Sequence, residues 1–249
     1  YGTQFVIREL FDNGTAEPSP TTLMRCFLYR YTNRPEPWVW YKEQTGRYPT
    51  WEDMEDGTLL KLWREYDAAG GVFFSSAYTM FSGGENPGVR RFEWAIGLAG
   101  QVPTNGRFYA TSDTQERVDI LRQLPRTGYF MAQQVVTDFG YIDDQYDEND
   151  WVAPGPGSLR GAAHIAPKAA FHDLVELCQD TLQVIEPQVH IELPGGQGVR
   201  YPSLMDVQNT LCEFDKYVRW RDKPLAKPYQ PKHPGTVPDP VLPLYWEGQ

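Results

Sequence analysis

Apolar residues recur along this chain at helical spacing, in stretches punctuated by proline and glycine, and the pattern predicts a mainly α protein. Thr21 or Thr22 caps a predicted helix to about Tyr31, which stops ahead of Arg34-Pro35 because proline disfavours helical backbone in the residue before it. Thr50 and Asp53 have the spacing of a capping box, opening a helix broken near Gly57 and ended at Gly70-Gly71. Residues 72–81 suit a buried strand or a helix equally, and Val89 to Ala99 reads as helix. Ser112 with Gln115 caps a helix to Gln123; a turn at Leu124–Gly128 leads into another helix, to about Phe139. Pro167 starts a long helix to Ile185, residues 186–202 suit a small hairpin, and Ser203 with Asp206 caps a last helix to about Trp220. Residues 1–222 therefore read as a single helical domain, and 223–249 as a Pro-rich extended tail on the surface.

On the last helix, Leu204, Val207, Leu211, Phe214 and Val218 form a predicted apolar stripe. Asp206, Asn209, Glu213 and Lys216 fall opposite, as a solvated face or the polar wall of a cleft. Asp143, Asp144, Asp147, Glu148 and Asp150 crowd one segment, whose ordinary reading is a solvated loop.

Composition narrows the function. A net charge of −10 over 249 residues excludes an indiscriminate nucleic-acid binder, so any DNA contact has to come from a local basic patch. Cys26, Cys178 and Cys212 lack C-x-x-C spacing and read as reduced thiols of a cytoplasmic protein, in the host cytoplasm if the protein is viral. The four histidines have no metal-ligand spacing, so neither a metal nor a cofactor is expected, and no apolar run is long enough to span a membrane. The chain opens on Tyr1, as a processed or trimmed form does.

The chemistry concentrates between Leu121 and Gly161. L-P-R-T-G between two helices has the form of a helix-hairpin-helix over about 114–139, an element that turns backbone N–H groups toward a phosphate, with Arg126, Thr127 and Gly128 as the DNA-binding residues. Arg126 stands where the usual L-P-G-x-G hairpin has its first glycine. A second glycine-rich turn, G-P-G-S-L-R-G, follows, and DNA glycosylases of the hairpin superfamily share this order of parts, which implies a glycosylase-like helical fold and action on a base taken out of the stack. The catalytic Asp of those glycosylases would fall at Gly155, so it is absent. The turn reads instead as an anion cradle of Gly155, Gly157 and Ser158 with Arg160 beside it. Near the start, Arg25, Arg30, Asn33 and Arg34 form a basic cluster; Arg30, Asn33 and Arg34 share a face and suit phosphate binding. Asp138, next to Val135, Val136 and Phe139, is a candidate base with a raised pKa.

Together, R-Y-T-N-R-P, the L-P-R-T-G hairpin, A-P-G-P-G-S-L-R-G and L-C-E-F-D-K-Y resemble the α-glutamyl/putrescinyl-thymine pyrophosphorylase family, related to the helical domain of 5-hydroxymethyluracil DNA kinases, over roughly residues 20–220. The resemblance implies thymine hypermodification in bacteriophage DNA: an amine, amino acid or polyamine displaces pyrophosphate from 5-pyrophosphoryloxymethyluracil. Its implied partners are DNA with modified thymine, the amine donor and a companion 5-hydroxymethyluracil DNA kinase. The chain has no G-x-x-x-x-G-K-[ST], so it resembles the displacement enzyme and not the kinase. Arg30, Arg34, Arg160 and the Gly155–Ser158 turn would hold the pyrophosphate. Asp138 or Glu213 would take the amine proton, with Lys216 steadying the phosphate or Glu213. A non-catalytic DNA-binding module of a modification complex and a base-excising glycosylase are the alternative readings.

Overall fold

Helices dominate the computed structural model, which describes residues 2–75, 90–167, 173–186, 188–193, 196–222 and 241–246. α1 (Gly2–Phe5) runs on into a π-type turn at Val6–Leu10, followed by α2 (Pro20–Thr32), α3 (Glu36–Thr45), α4 (Trp51–Glu55) and α5 (Thr58–Ala68). Next come α6 (Arg91–Ala99), α7 (Arg107–Ala110), α8 (Thr114–Leu121) and α9 (Tyr129–Gly140). α10 (Pro156–Ile165) and α11 (Asp173–Ile185) precede a two-stranded antiparallel ribbon, β1 (Ile191–Glu192) and β2 (Val199–Arg200), in which Ile191 pairs with Arg200; α12 (Leu204–Asp222) is the last helix. The fold is mainly α, as the periodicity predicts, and the ribbon occupies the expected hairpin segment. Residues 76–81 of the ambiguous 72–81 stretch, and 168–172 of the expected 167–185 helix, lie outside the described residues.

Local sequence explains most helix starts, with small shifts. α2 is capped by Ser19, not by Thr21 or Thr22: Pro20 supplies the first helical residue, the Thr22 backbone N–H donates to Ser19 Oγ at 3.2 Å, and the Ser19 N–H donates to Thr22 Oγ1 at 2.8 Å. α8 is capped by Asp113, one residue beyond the expected Ser112, through the Glu116 N–H at 2.8 Å. The Thr50–Asp53 box forms as expected, with the Thr50 N–H donating to Asp53 Oδ2 at 2.8 Å.

Asp53 also pairs with the Arg47 guanidinium, which together with the Thr50 N–H pulls its carboxyl down from 3.8 to about 2. A lowered folded-state pKa stabilises the fold at pH values above the ordinary carboxylate range. That contribution drains away as pH falls from about 4 to about 2. Urea midpoints measured at pH 5 and pH 2.5 are expected to differ less for Asp53→Asn than for wild type; an identical pH dependence in both would remove Asp53 from the acid response.

Two hydrophobic clusters hold the helices. The larger runs from Phe5 to Tyr146, with α2 at its centre: Leu23, Met24, Phe27 and Leu28 are buried, and α2 packs on α9, whose Val135, Val136 and Phe139 are buried in the same cluster. Trp38 and Trp63, both fully buried, meet edge to face at 5.7 Å. The smaller cluster joins Val152, Ala162, Leu174, Cys178, Leu204, Val207 and Leu211 from the loop after α9, α10, α11 and α12.

The acidic segment before α10 is not the solvated loop that its charge suggests. Asp143 is buried against Arg117, and Glu148 is buried near Arg200, which also pairs with Asp206. Asp150 Oδ2 accepts the Thr114 N–H at 2.7 Å, and Asn149 Oδ1 accepts the Leu204 N–H at 3.0 Å. One loop thus closes the N-termini of both α8 and α12, where a carboxylate or amide oxygen offsets the exposed N–H groups. The described end of the tail is also engaged: the Leu244 N–H donates to the Tyr141 carbonyl at 3.0 Å, and the Trp246 indole N–H to Glu148 Oε1 at 3.2 Å. The expected surface tail therefore packs at 241–246, because its aromatic residues find partners in the larger cluster; residues 223–240 and 247–249 lie outside the described residues.

α10 and α12 touch almost backbone to backbone at Gly161, where an added Cβ would lie 2.0 Å from the Leu211 carbonyl oxygen. Neither helix axis can give way without opening the smaller cluster. Gly161→Ala is expected to cost about 1–3 kcal/mol, read as a lowered thermal midpoint; an unchanged midpoint would mean that the crossing adjusts freely.

Candidate functional site

A cleft of about 390 Å³ opens between α9, the α10 N-terminus and α12. It brings together Gly155, Gly157, Arg160, Asn209, Glu213 and Lys216, all singled out in the sequence, with Phe130, Gln134, Cys212, Asp215 and Arg219, which were not. Phe130 and Gln134 sit one turn apart on α9, the helix that follows the L-P-R-T-G turn; no residue of that turn itself, 124–128, lines the cleft.

The centre of the cleft is a carboxylate. Asp215 is 1 % exposed, and its Oδ2 accepts the Arg160 Nε–H at 3.0 Å and the Arg219 Nε–H at 3.1 Å. His164 Nε2 stands 3.7 Å from Asp215 Oδ1. Both arginines spend Nε on Asp215, and among the described residues their terminal nitrogens have no hydrogen-bond partner. Their side chains are more than half exposed, so the buried carboxylate aims two guanidinium forks outward. Such forks suit the oxygens of a phosphate. Glu213 and Lys216 form an exposed ion pair on the neighbouring turn of α12.

The α12 stripe differs from the expected one by a single residue. Leu204, Val207, Leu211 and Val218 are buried, but Phe214 is at the surface, edge-on to His164, and Asp215 takes the inward position. One residue is about 100° of helix. Asp215 wins the inner place because Arg160 and His164 of α10 meet it there. The readable signal was an acid at the i+4 position after Leu211 with arginine four residues further on, a charge pair built onto an apolar face.

The glycine turn is less of an anion cradle than its sequence implies. Gly155 caps α10 without a side-chain bond, and its N–H donates to the Ala153 carbonyl at 2.9 Å. Pro156 has no N–H. Ser158 is buried, donating its hydroxyl to the Gly155 carbonyl at 3.0 Å and accepting from Gln208 Nε2 at 3.3 Å, so it holds the turn and does not face the cleft. Its N–H faces the Cys212 sulfur; burial pushes the Cys212 thiol up, and the Ser158 hydroxyl and N–H act against that rise. A Cβ at Gly157 would stand 3.1 Å from Cys212 Sγ, which accounts for glycine there. The backbone thus leaves Gly157 N–H for a ligand, and the arginines carry most of the positive potential.

The N-terminal basic cluster lies elsewhere. Arg25 is buried and donates to the carbonyls of Leu10, Tyr48 and Pro49. Arg30 forms a bidentate pair with Asp138, which is fully buried. Burial pushes the Asp138 carboxyl up, as the apolar neighbours suggest, against the pull of Arg30. Asn33 ends α2 in the left-handed conformation (φ 46°) and donates to Ser75 Oγ at 3.1 Å; Arg34 pairs with Glu36 at 2.7 Å. None of Arg30, Asn33, Arg34 and Asp138 lines the cleft. Arg30, Asn33 and Arg34 share the C-terminal end of α2, yet Arg30 turns inward to Asp138 of α9, whose carboxylate supplies the counter-charge for its burial.

At the Leu124–Gly128 turn, Arg126 is exposed with φ 59°, in the left-handed region that glycine occupies without strain. Thr127 faces inward, its hydroxyl 3.3 Å from that of Tyr31, and is a packing residue. Gly128 starts α9 with no side-chain cap, and a Cβ there would meet nothing within 4 Å, so the helix N-terminus is open to close approach.

These features define a mainly α protein whose arginine-forked cleft, beside an uncapped helix N-terminus, suits an anionic ligand. The family described as 5-hmdU DNA kinase, helical domain, matches residues 1–227, and the chain belongs to it. Membership relates the chain to the thymine hypermodification enzymes and points to a role in modifying thymine in DNA. No curated protein and no solved structure matches it. Among the described residues, no helix is long and apolar enough to cross a membrane, and no His/Cys/Asp/Glu group has the arrangement of a metal site.

Proposed function

We propose that this protein displaces pyrophosphate from 5-pyrophosphoryloxymethyluracil in DNA with an amine, an amino acid or polyamine, in the cleft between α9, α10 and α12. The observation that carries this reading is the Arg160–Asp215–Arg219 fork, two cations held by one buried carboxylate with their terminal nitrogens outward. In the reaction the amine nitrogen bonds to the methylene carbon on C5, the carbon–oxygen bond breaks, and pyrophosphate leaves with the bonding electrons. Arg160, Arg219 and the Gly157 N–H stabilise the charge that builds on the leaving oxygen. Glu213, exposed at the cleft wall, accepts the proton shed by the new ammonium, and Lys216 orients it. The open α9 N-terminus at Gly128, with Arg126, contacts the DNA backbone. A second reading, a DNA-binding module serving a 5-hydroxymethyluracil DNA kinase, is favoured by the family description itself.

Incubating an oligonucleotide that carries one 5-pyrophosphoryloxymethyluracil with the protein and a panel of amines, followed by nucleoside mass spectrometry, separates the two. Amine-substituted nucleoside with released pyrophosphate is expected. Binding without any change in nucleoside mass would leave the module reading, and an abasic site would identify a glycosylase.

A further inference from the structure

The cleft holds two carboxamides that the leaving-group chemistry does not use. Gln134 lies half-buried on α9, one turn beyond Phe130, and Asn209 is exposed on α12, one turn before Cys212 and Glu213. Among the described residues neither carboxamide has a hydrogen-bond partner. This contrasts with the adjoining Gln133 and Gln208, both buried and both committed to the Ala153 backbone: Gln133 Oε1 accepts its N–H at 2.6 Å and Gln208 Nε2 donates to its carbonyl at 3.0 Å. Neighbouring amides of the same kind thus split into a structural pair and a free pair, and the free pair lines the cavity.

We infer that Gln134 and Asn209 read the imide edge of a pyrimidine base lodged in the cleft, with its ring against Phe130 and its 5-substituent toward Arg160 and Arg219. The inference rests on the reading that the cleft takes a modified thymine. A uracil ring presents O2, N3–H and O4 in a row. A carboxamide carries an acceptor and a donor side by side, so Gln134 can accept from N3–H and donate to O4 at once, and Asn209 can donate to O2. A cleft of about 390 Å³ is in the range of small-ligand sites and admits a single nucleotide, not a duplex, so the base enters unstacked. Aromatic contact with the ring face and hydrogen bonds to the pairing edge are the two means by which such a base is held.

The test is equilibrium binding of the protein to two single-stranded oligonucleotides, one with a central 5-hydroxymethyluracil and one with its N3-methyl derivative. The methyl group removes the N3 donor and leaves the phosphates unchanged. Wild type is expected to prefer the unmethylated strand about tenfold or more. Gln134→Leu should abolish most of that preference and Asn209→Leu should weaken binding of both strands, with an unchanged salt dependence because no phosphate contact is lost. Equal wild-type affinity for the two strands, no measurable binding of the unmethylated strand, or a preference that survives Gln134→Leu overturns the inference. A preference without amine transfer would sink the proposed reaction and leave the base contact standing; amine transfer without a preference would do the reverse.

Discussion

Arg160→Ala is expected to slow pyrophosphate displacement by roughly 10²–10³-fold, the usual cost of deleting one donor aimed at charge that develops in a transition state. The guanidinium is held at Nε by Asp215 at 3.0 Å, while its terminal nitrogens are unpaired among the described residues and face the cleft. The side chain is 53 % exposed, so its removal opens no cavity and the thermal midpoint should stay within a few degrees of wild type. Arg160→Lys is expected to recover little, because an ammonium keeps the charge but lacks both the fork and a donor at the Nε position. Asp215→Asn tests the same arrangement from behind: the arginines lose the carboxylate that aims them, so activity should fall although no ligand contact has been deleted. Single-turnover rates, with inorganic pyrophosphate binding followed calorimetrically, check all three. Full turnover in Arg160→Ala with an unchanged midpoint would place the leaving group in another part of the molecule.

Asp138→Ala is expected to destabilise the fold by about 3–5 kcal/mol, because it leaves the Arg30 guanidinium without its counter-charge in the interior. In a chain of this size that corresponds to a fall of roughly 6–20 °C in Tm. Asp138 is fully buried on α9, and its bidentate partner on α2 is 16 % exposed, so the pair ties the two central helices of the larger cluster. Arg30→Ala should be comparably damaging, since it leaves a buried carboxylate alone, whereas the paired replacement Arg30→Met with Asp138→Leu should recover much of the loss by putting apolar volume in place of both charges. Thermal midpoints of the two single variants and the double variant decide it. If Asp138→Ala instead retained the wild-type midpoint while turnover collapsed, the carboxylate would belong to the chemistry rather than to the core.

These two outcomes divide along the line between what is legible in the chain and what is not. Helix content, the capping boxes at Thr50–Asp53 and Ser203–Asp206, the turn before α9 and the small ribbon follow from rules that span a few residues, and all were readable. So were Gly155, Gly157 and Arg160 as neighbours on one turn and Glu213 with Lys216 on one helix face, because each set lies at fixed local offsets; that the two sets line one cleft was decided by the packing of α10 on α12. The partner of each charge was not readable. Arg30 and Asp138 are 108 positions apart, and Arg160 and Asp215 are 55 apart. Two arginines in glycine- or aromatic-rich company look alike in sequence, but one met a carboxylate on a packed helix face and was withdrawn into the core, while the other met a carboxylate at a cleft and was turned outward. The acidic loop shows the same dependence: charge density predicts solvation, yet Arg117, Arg200 and two helix N-termini brought against it by the packing of α8 and α12 make burial favourable. Local pattern determined the elements of this protein; the long-range apposition of α2 with α9 and of α10 with α12 decided which of its charges were left to act on a ligand.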